Sequence, residues 1–265
     1  MSEPATAALL RDGKLADAVV SAQAALRKAP INLDARVLLA ELLVIAGNLE
    51  RADVIMDAAT AIDSTTALVA AEFRQLIRAE TARGQLFREG RVPEFLSGPT
   101  EAQRLQLAAL VALRGGDASE AARLAEQAEA ARPHAPGQSG DTAFDDFRDA
   151  DDLLAGSFEI LTATGKYFWI PTERVLSAEL HAPARMRDLI WRRVSMSVAD
   201  GPEGDVYMPA TYPADGPLTD AQRLGRTTDW RESAPGLVRG IGQKLFLVGE
   251  EGVEIMTLAS LRFGV

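Results

Sequence analysis

The residues best suited to chemistry form an acidic cluster of Asp149, Asp151 and Asp152. Closely spaced carboxylates are typical of calcium loops, but an EF-hand needs an acidic or amide residue at position 153 and a glycine at 154, and both are leucine. The alternative is structural: the acids cap a helix, pair with Arg148 or another arginine, and face solvent. We favour the structural interpretation and keep a hydrolase using these carboxylates as the weaker hypothesis.

Motifs for phosphate and dinucleotide binding are incomplete. Gly165-Lys166 resembles the end of a Walker A loop, but Ile160 replaces the earlier glycine and Tyr167 stands where Ser or Thr is required. The G-x-G that begins at Gly240 lacks the third glycine of a dinucleotide fingerprint. The sequence therefore predicts no nucleotide cofactor.

Nucleophiles and bases are equally scarce. The chain has no cysteine, which excludes disulfides, thiol catalysis and cysteine-bound metals. Its two histidines, His134 and His181, each lie two residues before a proline, so loop positions are a better interpretation than a general base. No G-x-S-x-G nucleophile elbow is present. The sequence predicts no catalytic residue, no metal site and no cofactor.

Length and charge narrow the class of protein further. With 265 residues the chain can bury a sizeable core, and a formal net charge of -10 argues against nucleic acid as a partner. The N-terminus lacks the basic and apolar regions of a signal peptide, and no apolar run is long enough to span a bilayer. We expect a cytoplasmic protein that does not bind membranes.

The first half carries an internal repeat. Gly13 and Gly47 occupy equivalent places 34 residues apart, the period of tetratricopeptide helix-turn-helix units, and Gly116 marks a third copy. Each glycine is followed five positions later by alanine, and seventeen positions later by Pro30, Ser64 or Pro133. A longer helix is expected over 66–88. Residues 1–132 are therefore predicted to form about seven helices of a tetratricopeptide-like array, whose concave surface could bind a helix or a peptide.

The second half of the sequence predicts strands and turns in place of helical repeats. Residues 133–143 are rich in Pro, Gly and small polar residues and are interpreted as a linker, and residues 142–154 as a short helix that docks the halves together. Residues 158–162 and 166–170 predict a hairpin that turns at Gly165, and further short strands follow. We predict an α+β fold in which residues 144–265 form a smaller β-rich domain, an antiparallel sheet or a partly open barrel.

Aromatic residues provide the candidate contact surface. On a strand, Tyr167 and Trp169 share one side and Phe168 points to the other. Tyr and Trp are enriched in binding hot spots, and a Trp beside an Arg can form a contact patch. The predicted protein-binding residues are Tyr167, Trp169, Trp191, Arg192 and Trp230.

Several longer motifs resemble one family, the ImpE/TagJ (SciE-type) accessory proteins of bacterial type VI secretion systems. They are RDADD at 148–152, TGKYFWIP at 164–171, RDLIWR at 187–192, VYMPATY at 206–212, RLGRTTDW at 223–230 and FLVG at 246–249. The resemblance implies a non-enzymatic adaptor. It implies binding to a helix of the small sheath subunit and to the N-terminal domain of the ClpV-type AAA+ ATPase. A tetratricopeptide scaffold with partners outside secretion is the alternative.

Overall fold

The computed structural model describes residues 5–60, 62 and 67–264. Ser64 and Thr66, which the sequence placed at the end of one helix and the start of the next, lie outside the described residues. Within the described chain an array of helices precedes an antiparallel sheet, so the predicted α+β class is confirmed.

Seven helices occupy the described part of the first half, as predicted. They are α1 (Ala5–Arg11), α2 (Leu15–Lys28), α3 (Leu33–Ile45), α4 (Leu49–Thr60), α5 (Ala67–Glu89), α6 (Glu101–Arg114) and α7 (Ala118–Ala131). Side chains of Asn32 and Asp117 accept backbone N–H bonds at the starts of α3 and α7, and Thr100 forms a capping box with Gln103 at α6. Local sequence therefore sets where these helices begin.

The second half contains thirteen described strands and one short helix. The strands are β1 (Gly137–Ser139), β2 (Thr142–Phe144), β3 (Phe147–Asp149), β4 (Ser157–Leu161), β5 (Tyr167–Pro171), β6 (Val175–Leu180), β7 (Trp191–Val198), β8 (Glu203–Pro209), β9 (Thr228–Ala234), β10 (Leu237–Gly242), β11 (Leu245–Val248), β12 (Glu251–Glu254) and β13 (Ser260–Phe263), and the helix is α8 (Asp220–Arg223). Eight strands form an open antiparallel sheet in the order β2-β1-β13-β6-β7-β8-β4-β5. The sheet does not close on itself, so of the two predicted arrangements it is the antiparallel sheet that forms.

Two smaller sheets complete this half. Strands β12, β11 and β3 form a three-stranded sheet, and β9 and β10 form a two-stranded ribbon. The predicted hairpin is confirmed: β4 and β5 pair antiparallel, with Gly165 at φ +84° in the turn.

The predicted docking helix over 142–154 is wrong, and the predicted linker, 133–143, contains strand residues at 137–139 and 142–143. These residues form β1, β2 and β3. The reason is long-range pairing: Gly137 lies opposite Phe263, and a Cβ at Gly137 would come within 2.1 Å of the Arg262 carbonyl oxygen. The glycine, taken as a linker signal, instead permits close approach of another strand.

Both faces of the large sheet are covered, by different partners. Leu161, Tyr167, Trp169 and Trp191 join the helices in one buried cluster. Neighbouring residues on the same strands, such as Phe158, point the other way into a second cluster with the three-stranded sheet. The helical array and the sheet therefore share a core.

Candidate functional site

A groove of about 840 Å³ opens between the helical array and the β-rich half. One wall is the end of α3 with the start of α4, another is one side of α5, and the third is the chain around Thr211 to Arg223. Its lining mixes aliphatic and aromatic side chains with charged ones, among them Ile45, Leu49, Ile77, Arg78, Glu80, Arg83, Gly84, Phe87, Arg88, Ile190, Tyr212, Leu218 and Arg223.

Behind this lining lies a buried charge network. The Arg83 guanidinium donates to both carboxylate oxygens of Glu159, at 2.8 and 2.9 Å. Lys244 Nζ contacts Glu159 Oε2 at 2.9 Å and Asp149 Oδ2 at 2.6 Å. All four side chains are at most 3% exposed. Two cations and two anions therefore alternate within a buried cluster.

Aromatic hydroxyls complete the hydrogen bonds of this network. The Tyr167 hydroxyl donates to Glu159 at 2.5 Å and accepts from Trp169 Nε1 at 2.6 Å. The Tyr212 hydroxyl donates to Asp149 at 2.9 Å. These bonds satisfy buried polar atoms that would otherwise carry a large desolvation cost.

Burial and neighbouring charges shift the pKa values of this network in opposite directions: the pKa of Asp149 is raised by burial, in spite of Lys244 beside it. Burial alone would raise the pKa of Glu159, but the adjacent Arg83 and Lys244 hold that pKa well below its ordinary value. Burial would lower the pKa of Lys244, but Asp149 and Glu159 raise it. A raised pKa favours the ammonium form of Lys244, whereas a general base or an amine nucleophile requires a lowered one. The network connects α5 of the array to the sheet through Arg83 and Glu159.

The acidic cluster is divided among three cations. Asp149 binds Lys244, the Asp151 carboxylate accepts from Arg239 Nε at 2.8 Å, and Asp152 pairs with Arg148 at 2.6 Å. Pairing with arginine was predicted for this cluster. The predicted helix cap and solvent exposure are wrong, because the segment is strand and turn and both Asp149 and Asp151 are buried. These two carboxylates are buried because each pairs with a buried cation far along the chain, Arg239 at 88 positions and Lys244 at 95 positions.

A hydrolase using Asp149 to Asp152 would need a pocket that holds these carboxylates. The lining of the groove includes none of them, nor does that of a second hollow of about 830 Å³ on the large sheet. Among the described residues, no group of three or more His, Asp or Glu side chains is arranged to hold a metal ion.

Two residues that line the second hollow, Ser195 and Asp205, form a contact group with His181 beside it. Ser195 Oγ donates to Asp205 at 2.7 Å and lies 2.8 Å from His181 Nε2. Since its proton is directed to the aspartate, the serine can only accept from the histidine. In a hydrolytic triad the histidine lies between the two and takes the serine proton. This arrangement does not activate a nucleophile.

Four of the five predicted contact residues lie inside the protein. Tyr167, Trp169 and Trp191 are at most 2% exposed, and Arg192 is 4% exposed. Trp191 Nε1 donates to Glu80 Oε2 at 3.1 Å, so it joins the sheet to α5. The prediction that these four form a contact surface is therefore corrected: both faces of their strands are covered. Trp230 differs, being 45% exposed.

A short segment from the β-rich half, residues 219–226, binds the ends of the first helices; we call it the capping segment. Asp220 Oδ2 accepts from the backbone N–H of Leu15 at 2.8 Å, at a helix start where Lys14 supplies no side-chain cap. Arg223 Nη1 donates to the Ala46 carbonyl at 3.0 Å. Arg226 donates to the carbonyls at the end of α1. The segment satisfies helix-terminal groups that the repeats leave unpaired.

Sequence reasoning missed the charge network and the capping segment. One signal for the network was present: Arg83 continues the buried stripe of Leu76, Ala79 and Leu86 on α5. A charge within an apolar stripe indicates a buried partner. The capping segment had only its presence in a family motif to draw attention to it.

No helix among the described residues is both long and apolar enough to cross a bilayer.

Comparison with known proteins identifies the family to which the chain belongs. The model of the ImpE protein family matches residues 141–262, and a tetratricopeptide repeat model matches residues 9–71. The type VI secretion system accessory component TagJ of Pseudomonas aeruginosa is 33% identical over 258 residues, covering 96% of this chain and 89% of TagJ.

A crystal structure of a protein from Vibrio parahaemolyticus has a TM-score of 0.92 to this chain at 30% identity, and 97% of each chain is covered. The shared fold thus extends through both the helical array and the sheet. With the match to TagJ over nearly the whole length, this establishes that the chain belongs to the ImpE/TagJ family of type VI secretion accessory proteins.

Proposed function

We propose that this protein is a non-enzymatic adaptor of type VI secretion, acting in the cytoplasm, that holds a helix of a partner protein in the groove between array and sheet. The family resemblance names the partners: a helix of the small sheath subunit and the N-terminal domain of the ClpV-type ATPase. The groove is of a size typical of ligand sites, and its mixed apolar and charged lining suits an amphipathic helix.

The observation that carries the proposal is Gly84. It lies within α5 and lines the groove, where the stripe from Ile77 to Arg88 spans about 16 Å, roughly three helical turns. A glycine inside a helix costs about 1 kcal/mol relative to alanine. The three atoms nearest to a Cβ at Gly84 all belong to the guanidinium end of the Arg88 side chain, which can rotate away, so packing within the chain does not demand glycine. Close approach of a second helix to α5 would require a residue as small as glycine at this position.

Trp230 supplies a second contact at the edge of this region. Its ring lies 6.0 Å from the ring of Tyr212, which lines the groove, and it is the exposed member of the pair. An exposed tryptophan beside a groove has the character of an interface hot spot. We assign it to the same partner.

The test is calorimetric titration of the protein with the small sheath subunit and, separately, with the N-terminal domain of the ATPase. Gly84→Leu places a side chain in the groove and improves helix propensity, so binding is expected to weaken about tenfold or more while stability does not fall. Ala71→Leu is the matched control, because Ala71 is exposed on the same helix but does not line the groove. Its affinity should stay within about twofold of the unsubstituted protein.

Two results would count against the proposal. If neither protein binds, the proposed secretion partners are excluded. If Gly84→Leu binds with unchanged affinity, the groove is excluded as the binding site. A scaffold outside secretion remains the second candidate, supported by the tetratricopeptide match at 9–71. The gene neighbourhood separates the two, since sheath genes beside this one favour secretion.

A further inference from the structure

Three turns of the helical array have the same backbone geometry. Gly13, Gly47 and Gly116 have φ of +74°, +81° and +81°. In each turn the glycine N–H donates to the carbonyl three residues earlier, and the next N–H donates to the carbonyl five residues before it. Each turn therefore ends a helix with the same set of carbonyl oxygens directed outwards.

Two of these turns hold an arginine of the chain. At the first, Arg226 donates to the carbonyls of Leu10 and Arg11, at 2.5 and 3.1 Å. At the second, Arg223 donates to the carbonyl of Ala46 at 3.0 Å. The guanidinium nitrogens lie 3.3 and 3.0 Å from where a Cβ of the turn glycine would be. A glycine turn in this array thus accommodates a guanidinium group directly above it.

At the end of α5 an arginine also binds a helix-terminal carbonyl, although the turn there has a different geometry. Arg114 Nη1 donates to the Leu86 carbonyl at 2.9 Å, and its guanidinium lies against Gly90. Three helix C-termini, those of α1, α3 and α5, are therefore joined to a neighbouring segment by arginine. Arginine suits this task because its planar fork can reach two carbonyls and its charge complements the helix dipole.

The third glycine turn, between α6 and α7, is open. A Cβ at Gly116 would meet no atom within 4 Å, and Gly115, Gly116 and Asp117 are exposed. In this part of the described chain the Leu113 carbonyl accepts from the backbone N–H groups of Gly115 and Gly116, and no guanidinium lies over the turn glycine. The turn has the geometry of the two filled turns without their arginine.

We propose that the turn at Gly116 is a docking site for an arginine side chain of a protein partner. The carbonyls at the end of α6 accept from the guanidinium, and the carboxylate of Asp117, next in the chain, adds attraction for a cation. The acidic balance of the whole chain, with a net charge of -10, favours approach of a basic segment. The site lies on α6 and α7, neither of which lines the groove, and it stands independently of the function proposed above.

The test is an amide NMR titration of the full-length protein with N-acetyl-arginine amide, using N-acetyl-lysine amide as the matched probe. We expect saturable shifts at Gly115, Gly116 and Asp117 that are about threefold or more larger with the arginine probe, since only the guanidinium is a planar fork. Gly13 and Gly47 should not respond, because their arginines are in place.

A variant that lacks the arginine at one occupied turn provides a positive control for binding of the arginine probe. In Arg226→Ala the amides near Gly13 should begin to respond to the arginine probe, while the response at Gly116 is retained. A response at the emptied turn with none at Gly116 would overturn the proposal. So would equal shifts with both probes at Gly116, or no local response at either turn.

Discussion

The two faces of the large sheet are attached by different chemistry. On the helix side, directional contacts to α5 are added to the shared apolar core: Glu159 binds Arg83, Trp191 donates to Glu80, and the Tyr207 hydroxyl donates to Glu72 at 2.5 Å. On the other side the contact is hydrocarbon, with rings 5.1 to 6.2 Å apart among Phe144, Phe147, Phe158, Phe246 and Phe263.

The two faces differ in how precisely they fix the position of the element that packs on them. Apolar surfaces gain free energy in many relative positions, since burial is not directional. Charged pairs with short hydrogen bonds tolerate few positions, because a misaligned buried charge is left without a partner. The polar face therefore fixes how α5 sits on the sheet, and α5 forms a wall of the groove. The phenylalanine face stabilises the sheet without setting the groove.

Loss of Arg83 is the most damaging change to this arrangement. Arg83→Ala leaves Glu159 and Asp149 buried with only Lys244 between them, so we expect the free energy of unfolding to fall by about 3–5 kcal/mol. Urea denaturation followed by circular dichroism measures this loss. A drop under about 1 kcal/mol would mean that the network contributes no more than a surface ion pair.

A paired replacement sharpens the same comparison. Arg83→Met with Glu159→Gln removes one charge of each sign, leaves Lys244 with Asp149, and keeps an acceptor for the Tyr167 hydroxyl. We expect this double variant to be more stable than Arg83→Ala, because no buried charge is left unbalanced. A double variant that is equally unstable would show that packing, and not charge balance, governs this face.

Phe147 is the corresponding position on the apolar face. Phe147→Leu keeps a buried apolar side chain but loses contacts with four other rings, so we expect a loss of about 1–2 kcal/mol. Because the groove lies on the other face, partner affinity by calorimetry should not change. A changed affinity would contradict the separation of the two faces.

The smallest effect concerns pH. Burial opposes ionisation of Asp146, but hydrogen bonds and charge from Arg132 lower its pKa to about 2. A carboxylate whose folded pKa lies below its unfolded value stabilises the fold above the unfolded pKa, and this contribution disappears as pH falls from about 4 to about 2. After allowance for solvent screening the contribution is about 1 kcal/mol. Urea unfolding at several pH values should show a flatter decline over this range for Asp146→Asn; an identical slope would contradict the assignment.

Local patterns were sufficient for the helical array and for the β4–β5 hairpin. The glycine turns, their 34-residue period and the caps all lie within a few residues of the helices they define. A hairpin likewise pairs neighbours in the chain. Strands β1 and β3 were missed because distant pairing decides them, as in the contact of Gly137 with Phe263. Strands β2, β6, β9 and β10 were missed as well, although β9 and β10 pair with each other across a short turn.

The candidate site was harder to predict for the same reason. Arg83 and Glu159 are separated by 76 positions, and no local spacing joins them. Tyr167 and Trp169 were assigned to a surface by residue type, since aromatic strands can face a partner or a core. The sequence could not show that α5 covers that face. Trp230 is the member of the predicted set for which a contact role remains a prediction.

The capping segment has a consequence for synthesis on the ribosome. Arg226 binds a carbonyl of α1 that was made 215 positions earlier. At about 5–20 residues per second, α1 waits roughly 10–40 s for the residue that closes its end. A solenoid normally carries capping units at its own termini. Here α1 and α2 are completed by a segment that is made more than 200 positions later, so these helices reach their final form only after that segment has been synthesised.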